Sequence, residues 1–214
     1  DVSDRARQSG YTLVDPVTVL MTHLGEVLRG EASLLLSRAD VVAMLEGVRN
    51  RQPGLIEELI PGIMTVSDVQ RVLQNLLAED VSIRNMDQIA EALVDLGRAV
   101  KDAAELTEAV RQRLAHGICH RLRGNNEYLS VLSLDPRVEG QITDNVRRTD
   151  ASKGFVLDPR LAEQLIRKLV PQAEAMTRQS LIPVLLCNAE IRRHLKTFTK
   201  RSIPRLSVLS VNEI

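Results

Sequence analysis

Three residues with metal-ligating side chains, His116, Cys119 and His120, stand at i, i+3 and i+4, a spacing that on a helix turns all three to one side. Such a set could hold a zinc ion. Cys119 sits beside Ile118 and Leu122 of an apolar stripe, so the preferred reading is three residues of a helix face, with metal binding as the alternative that a zinc assay decides. His23 lies in an amphipathic pattern and His194 lies among Arg192, Arg193 and Lys196; neither has a sequence-linked nucleophile that would make an acyl-transfer site. Asn188 follows the apolar run Pro183 to Cys187 as a helix cap, where an anion could bind. The glycines of a P-loop or of a dinucleotide fingerprint are missing throughout. The basic set Arg192, Arg193, Lys196, Lys200, Arg201 and Arg205 reads as a solvated face, and an acidic partner or a neighbouring subunit is its functional alternative. No catalytic, cofactor-binding or metal residue is assigned on this basis.

The totals narrow the classes further. The 214 residues carry 28 basic and 28 acidic side chains, so no global positive field argues for nucleic acid. Aromatic residues make up 2% with no Trp, which removes the stacking platforms of single-strand binders. Residues 1–100 hold 9 basic and 15 acidic side chains, and the remainder is correspondingly basic, as expected of separate modules. Cys119 and Cys187 fall in segments read as a helix and a buried strand, which points to a reducing, cytosolic setting rather than a disulfide framework. No apolar run approaches the roughly 18 to 20 residues that span a bilayer, and a soluble piece is expected.

The elements that would position these residues follow from periodicity and punctuation. Tyr11 to Val14 reads as a strand, and Asp15-Pro16 as the cap and first turn of a helix running to about Leu36, with Gly30 an interruption. Leu134-Asp135-Pro136 and Leu157-Asp158-Pro159 repeat the same strand-to-helix corner. Between residues 38 and 123 only helical patterns occur. One covers Val41 to Val48 and ends at Gln52-Pro53-Gly54. A short one covers Leu55 to Ile60, and another, with Ser67 and Gln70 as a capping box, carries the stripe Val69, Val72, Leu73, Leu76 and Leu77. A fourth covers Met86 to Leu96. A long one, capped by Asp102 with Glu105, has a core face of Leu106, Val110, Leu114, Ile118 and Leu122.

Gly124-Asn125-Asn126 changes the pattern. Strand candidates at 128–134, 154–157, 182–187 and 206–210 alternate with helices at about 136–148, 159–178 and 189–201, the rhythm of an α/β layer. Pro171 should kink or divide the middle helix. The expected fold is multi-domain: an all-α helical module followed by a small four-stranded α/β layered domain.

Spacing alone does not explain the order of polar residues along these elements. Gln74 and Asn75 inside the striped helix, then Ser82-Ile83-Arg84-Asn85, resemble the FHIPEP family of bacterial protein export gates. Gly10 to Pro16 with Thr22-His23-Leu24, Leu106-Thr107-Glu108 with Val110-Arg111, Pro183 to Leu186 with Ile191-Arg192, and Pro204 through Ser210 to Asn212-Glu213 are similar to further family signatures. Together these stretches cover nearly the whole chain in the family's order.

The resemblance implies a docking platform rather than an enzyme. Members are bacterial inner-membrane proteins whose cytoplasmic region has four subdomains and forms a nine-membered ring. That region receives export chaperones with bound substrates and proteins of the associated ATPase complex. By this resemblance residues 1–37 end the first subdomain, 38–123 are the helical third and 124–214 the α/β fourth; the membrane domain and second subdomain are absent. It also implies that Val19 and Thr22 belong to a chaperone-binding dimple, with burial inside the first subdomain as the alternative. Pro53 to Pro61, Leu73 to Leu77 and Arg201 to Pro204 lean to the flagellar branch, although Ser82 to Met86 and Ile191 to Arg193 also suit injectisome gates. Ser37-Arg38-Ala39-Asp40 departs from both branches. The reading of another class is a small-ligand-binding or catalytic α/β domain with a helical extension.

Overall fold

The computed structural model describes residues 5, 9–10, 13–148 and 157–214. Its contacts divide the chain into two compact units, 1–86 and 87–214.

In the first unit the helices are α1 (Pro16–Gly30), α2 (Ala32–Leu35), α3 (Arg38–Arg49), α4 (Pro53–Leu59) and α5 (Val66–Leu77). Asp15 caps α1 by accepting from the Thr18 N–H at 3.0 Å, and Pro16 fills the first turn, where no N–H is needed. α3 opens with a capping box of Ser37 and Asp40. The box of α5 is Thr65 with Asp68, two residues upstream of the expected Ser67 and Gln70. Ser67 instead accepts from Arg38 Nη1 at 3.0 Å, and Gln70 donates to the Leu36 carbonyl at 3.0 Å. Pro53-Gly54 opens α4 rather than only ending α3, because proline suits a first helical turn. Val69, Val72, Leu73 and Leu76 of α5 are buried, with Val41, Leu45 and Val48 of α3 and Ile56 and Leu59 of α4. α3 packs on both α4 and α5, and α2 on α5. Gly62 is required by space: a Cβ there would meet the Glu58 carbonyl oxygen at 2.7 Å.

The second unit contains α6 (Met86–Gly97), whose first residue closes the preceding unit, followed by α7 (Ala103–Arg113), α8 (Ala115–Arg123), β1 (Leu132–Ser133), α9 (Pro136–Arg148), α10 (Pro159–Arg178), β2 (Val184–Cys187), α11 (Ala189–Thr199), β3 (Ser207–Ser210) and a final 3-10 turn (Val211–Glu213). The single long helix expected after Asp102 is two, broken at Leu114, whose φ of −92° and ψ of 2° leave the helical region. Its N–H is shared between the Val110 and Arg111 carbonyls, so the break strands no donor. Pro171 lies inside α10 without dividing it.

Among the described residues the sheet has three parallel strands in the order β1-β2-β3, not four. Of the candidate at 154–157 only Leu157 is described, buried and outside regular structure; 154–156 lie outside the described residues, as do Tyr11 and Thr12 of the first candidate, whose Leu13 and Val14 form no strand. β1 is shorter than the expected 128–134. Leu132 pairs with Leu185 and Ser133 with Leu186, so extending the ladder backwards would soon meet Pro183, which has no N–H to donate. Central β2 is buried along nearly its whole length, as a parallel strand covered on both faces must be. Leu185 and Leu206 share a core with Ile142 of α9, Leu165 and Leu169 of α10, and Ile191 and Leu195 of α11.

Candidate functional site

The three Asp-Pro corners all cap helices. Asp135 accepts from the Arg137 N–H at 2.9 Å, and Asp158 from the Arg160 and Leu161 N–H groups at 3.0 and 3.2 Å, repeating the arrangement at Asp15. On α1, Val19 and Thr22 stand one turn apart on the same side. None of the described side chains of α1 is buried, and the Thr22 hydroxyl donates to the Thr18 carbonyl at 2.8 Å. The helix therefore presents Val17, Leu20, Met21, Leu24, Val27 and Leu28 as exposed apolar side chains. Pairing exposed apolar surface with a small hydroxyl suits a helix face that another polypeptide covers.

The basic set of the C-terminal segment forms a solvated face only in part. Arg192 is 0% exposed and Lys196 is buried, while Lys200, Arg201 and Arg205 remain at the surface. Arg192 forks onto both carboxylate oxygens of Glu108 on α7, and its Nη1 donates to the Val208 carbonyl at 3.3 Å. Lys196 Nζ donates to the Leu206 carbonyl at 2.7 Å. A second buried pair lies at the chain's last turn. Arg111 Nη2 lies 2.8 Å from Glu213 Oε1, with the two side chains 3% and 1% exposed. Glu213 Oε2 accepts from the Ser210 N–H at 2.7 Å and from its hydroxyl at 3.0 Å. These charges are buried because each finds an oppositely charged or main-chain partner. The signal was present in the sequence: Arg192 and Lys196 at i and i+4 flank the apolar pair Ile191 and Leu195, which places them at the edge of the core face.

His116, Cys119 and His120 share α8, but among the described residues no group of three or more His, Cys, Asp or Glu side chains is placed to hold a metal ion. Cys119 turns its thiol to the Glu213 carbonyl at 3.0 Å. Burial, and then the Glu213 charge, push that thiol above its ordinary range. Cys187 is pushed up to about 12, chiefly by burial in the sheet. Both cysteines are free thiols. His194 is lowered by burial and by the neighbouring Arg193, so it stays neutral more readily than a free imidazole. Asn188 caps α11 by accepting from the Glu190 N–H at 3.0 Å, while its own N–H donates to Glu139 at 2.6 Å, so a carboxylate of the protein already lies beside this helix start. On the surface nearby, Arg147 and Glu190 form a two-pronged pair at 2.9 Å that raises the arginine and lowers the carboxylate. Among the described residues no helix is long and apolar enough to cross a membrane.

Comparison with known proteins gives one consistent result. The model of the FHIPEP family matches residues 1–214. The flagellar biosynthesis protein FlhA of Bacillus subtilis is 37% identical over 213 residues, covering 100% of this chain and 32% of the relative. The chain thus spans about a third of the length of the curated relatives it matches. Among solved structures, the C-terminal domain of InvA superposes with a TM-score of 0.79 at 29% identity, over 99% of this chain and 64% of that one. The Chlamydia pneumoniae CdsV protein, in a complex with CdsO, gives 0.82 at 25% identity over 99% and 62%. The nonameric EscV cytosolic domain of a type III secretion system gives 0.76 at 25% identity over 91% and 57%. The mostly helical fold with its small parallel sheet is the one these domains share, and the chain belongs to the FHIPEP family.

Proposed function

We propose that this chain is part of the cytoplasmic docking platform of a type III protein export gate, of the flagellar branch, in a bacterial inner-membrane protein. The observation that carries the reading is the 37% identity to a flagellar biosynthesis protein across the whole chain. The platform acts by holding polypeptides, not by covalent chemistry. Its supports are the relatives, which bear the names of secretion components, and the use of buried charges such as Arg111, Arg192 and Glu213 in structural pairs. The residue limits 1–37, 38–123 and 124–214 for the subdomains belong to the same reading.

Val19 and Thr22 form part of a site for export chaperones with bound substrates. Support comes from their shared side of α1 and from the apolar surface around them. Proteins of the ATPase complex and further copies in a nine-membered ring are the other partners. The nonameric EscV domain and the CdsV–CdsO complex, both similar to this chain, support those two assignments. The injectisome branch is the second reading, favoured by the solved structures similar to this chain. A capture assay with the intact cytoplasmic region of the parent protein, run in parallel against flagellar and injectisome chaperones, tests the choice. Selective retention of the flagellar set is expected; retention of the injectisome set alone would reverse the branch, and retention of neither would remove the docking role.

A further inference from the structure

At Leu36 the chain leaves α2 with a ψ of 100°, which takes its carbonyl out of the helical ladder and strands it as an acceptor at a helix end. Two side chains of α5 reach it. Gln70 Nε2 donates to the Leu36 oxygen at 3.0 Å and Gln74 Nε2 at 3.3 Å. A carbonyl oxygen has two lone pairs, and two amide donors saturate it. Both bonds are partly buried and Leu36 is 7% exposed, so losing the donors would leave a poorly hydrated acceptor. A third bond crosses the same seam, from Arg38 Nη1 at the start of α3 to Ser67 Oγ at 3.0 Å. Ser67, Gln70 and Gln74 stand at i, i+3 and i+7, on one side of α5.

From this seam the backbone leads to α1 without slack. The Leu36 N–H donates to the Ala32 carbonyl at 3.2 Å, the Leu34 and Leu35 N–H groups to the Glu31 carbonyl at 2.9 and 3.0 Å, and the Glu31 N–H to the Val27 carbonyl at 3.0 Å. Glu31, the residue between the two helices, is therefore bonded on both sides. No side chain of α1 is buried, so within this unit the direction of that helix comes through α2 and not from packing of its own face. The helix is a long arm on a short pivot. Its 15 residues extend about 22 Å at 1.5 Å per residue, so a tilt of about 20° at the Leu36 corner moves the far end by about 8 Å.

We infer that Gln70 and Gln74 are positioning residues for docking: by sharing the Leu36 carbonyl they fix the angle at which α1 presents Val19, Thr22 and the apolar side chains around them. That the presented face binds a polypeptide rests on the docking-platform reading; that the two amides set its angle rests on their bonds to Leu36 and on the unbroken backbone bonding from there to α1.

The test measures the distance from α1 to α5 in the 214-residue chain by double electron–electron resonance, with nitroxides at Glu26→Cys and Arg71→Cys in a Cys119→Ser/Cys187→Ala background. A narrow distribution is expected. Gln70→Met/Gln74→Met keeps both side chains near their length and removes both donors, so it should broaden the distribution with circular dichroism unchanged. Each single variant leaves one donor on the carbonyl and should keep the distribution narrow. In the parent's complete cytoplasmic region the double variant should weaken binding of a chaperone–substrate complex about tenfold, the loss expected when the competent orientation is populated about a tenth of the time. Should the methionine pair not fold, Gln70→Glu/Gln74→Glu, which repels the carbonyl at the same length, takes its place with the same expectations. An unbroadened distribution in the folded double variant, or full broadening by either single variant, would overturn the inference. A broadened distribution with unchanged binding would overturn the link from the clamp to docking. No chaperone binding by the unaltered region would remove the docking reading, and the distance measurement would still decide whether the two amides set the angle.

Discussion

Arg192 of α11 and Glu108 of α7, 84 residues apart in sequence, meet through a two-pronged ion pair with the guanidinium entirely buried and the carboxylate one quarter exposed. The pair joins a helix assigned from sequence to the all-α segment with one assigned to the α/β segment, and both lie in the compact unit 87–214.

Removing only the carboxylate leaves a buried, uncompensated charge. Glu108→Ala should therefore lower the unfolding free energy by about 3 to 5 kcal/mol in urea titrations. The joint change Glu108→Leu/Arg192→Met, which removes both charges, should recover most of that loss. Equal losses for the single and joint variants would show that the pair's packing, not its charge, matters.

Leu76 is wholly buried in the striped helix α5. Leu76→Ala should cost about 2 to 5 kcal/mol, the range for a large-to-small change in a packed interior. A negligible shift in the denaturation midpoint would contradict the packing described for the first unit.

The thiols should differ sharply in reactivity. With Cys187 near 12, its thiolate fraction at pH 8 is about one in ten thousand, so Ellman's reagent should modify Cys119 slowly and Cys187 only on unfolding. The fold prefers the protonated Cys187, so its contribution to stability is complete below the ordinary thiol value of 9.0 and is lost as pH rises toward about 12. One rapid and stoichiometric reaction of both thiols in the native chain would contradict this burial.

Asp40 gains from the Ser37 capping box, whose side-chain and backbone donors hold its carboxyl below the ordinary 3.8. A depressed folded value means that the contribution is present above the unfolded value and is lost as pH falls through the folded one. Asp40→Asn should accordingly flatten the acid limb of the stability profile, and an unchanged limb would remove the box from the ledger.

Much of this was legible in the residues. Asp-Pro corners at 15, 135 and 158 gave their helix starts because a carboxylate cap and a proline first turn are local chemistry. The stripe of α5 likewise gave the buried face. What local pattern missed depends on distant partners. The spacing of Arg192 and Lys196 beside Ile191 and Leu195 puts them at the core's edge, but it does not name Glu108 and the carbonyls of Val208 and Leu206, the distant partners that let them be buried. Thr65 rather than Ser67 caps α5 because the helix begins at Val66, which leaves Ser67 inside the first turn, where it accepts from Arg38 of another helix. Gln74, a residue carrying the family resemblance, donates to the Leu36 carbonyl at 3.3 Å, a structural task that no spacing rule could have named.

The central claim is that these surfaces act by holding other polypeptides, with the exposed side of α1 taking part. Its most direct measurement is the equilibrium binding of a flagellar chaperone–substrate complex to the parent's complete cytoplasmic region, with and without Thr22→Asp. Saturable binding weakened at least tenfold by the folded variant is the expected result. Binding equal in both forms, or absent from the unaltered region, would contradict the account.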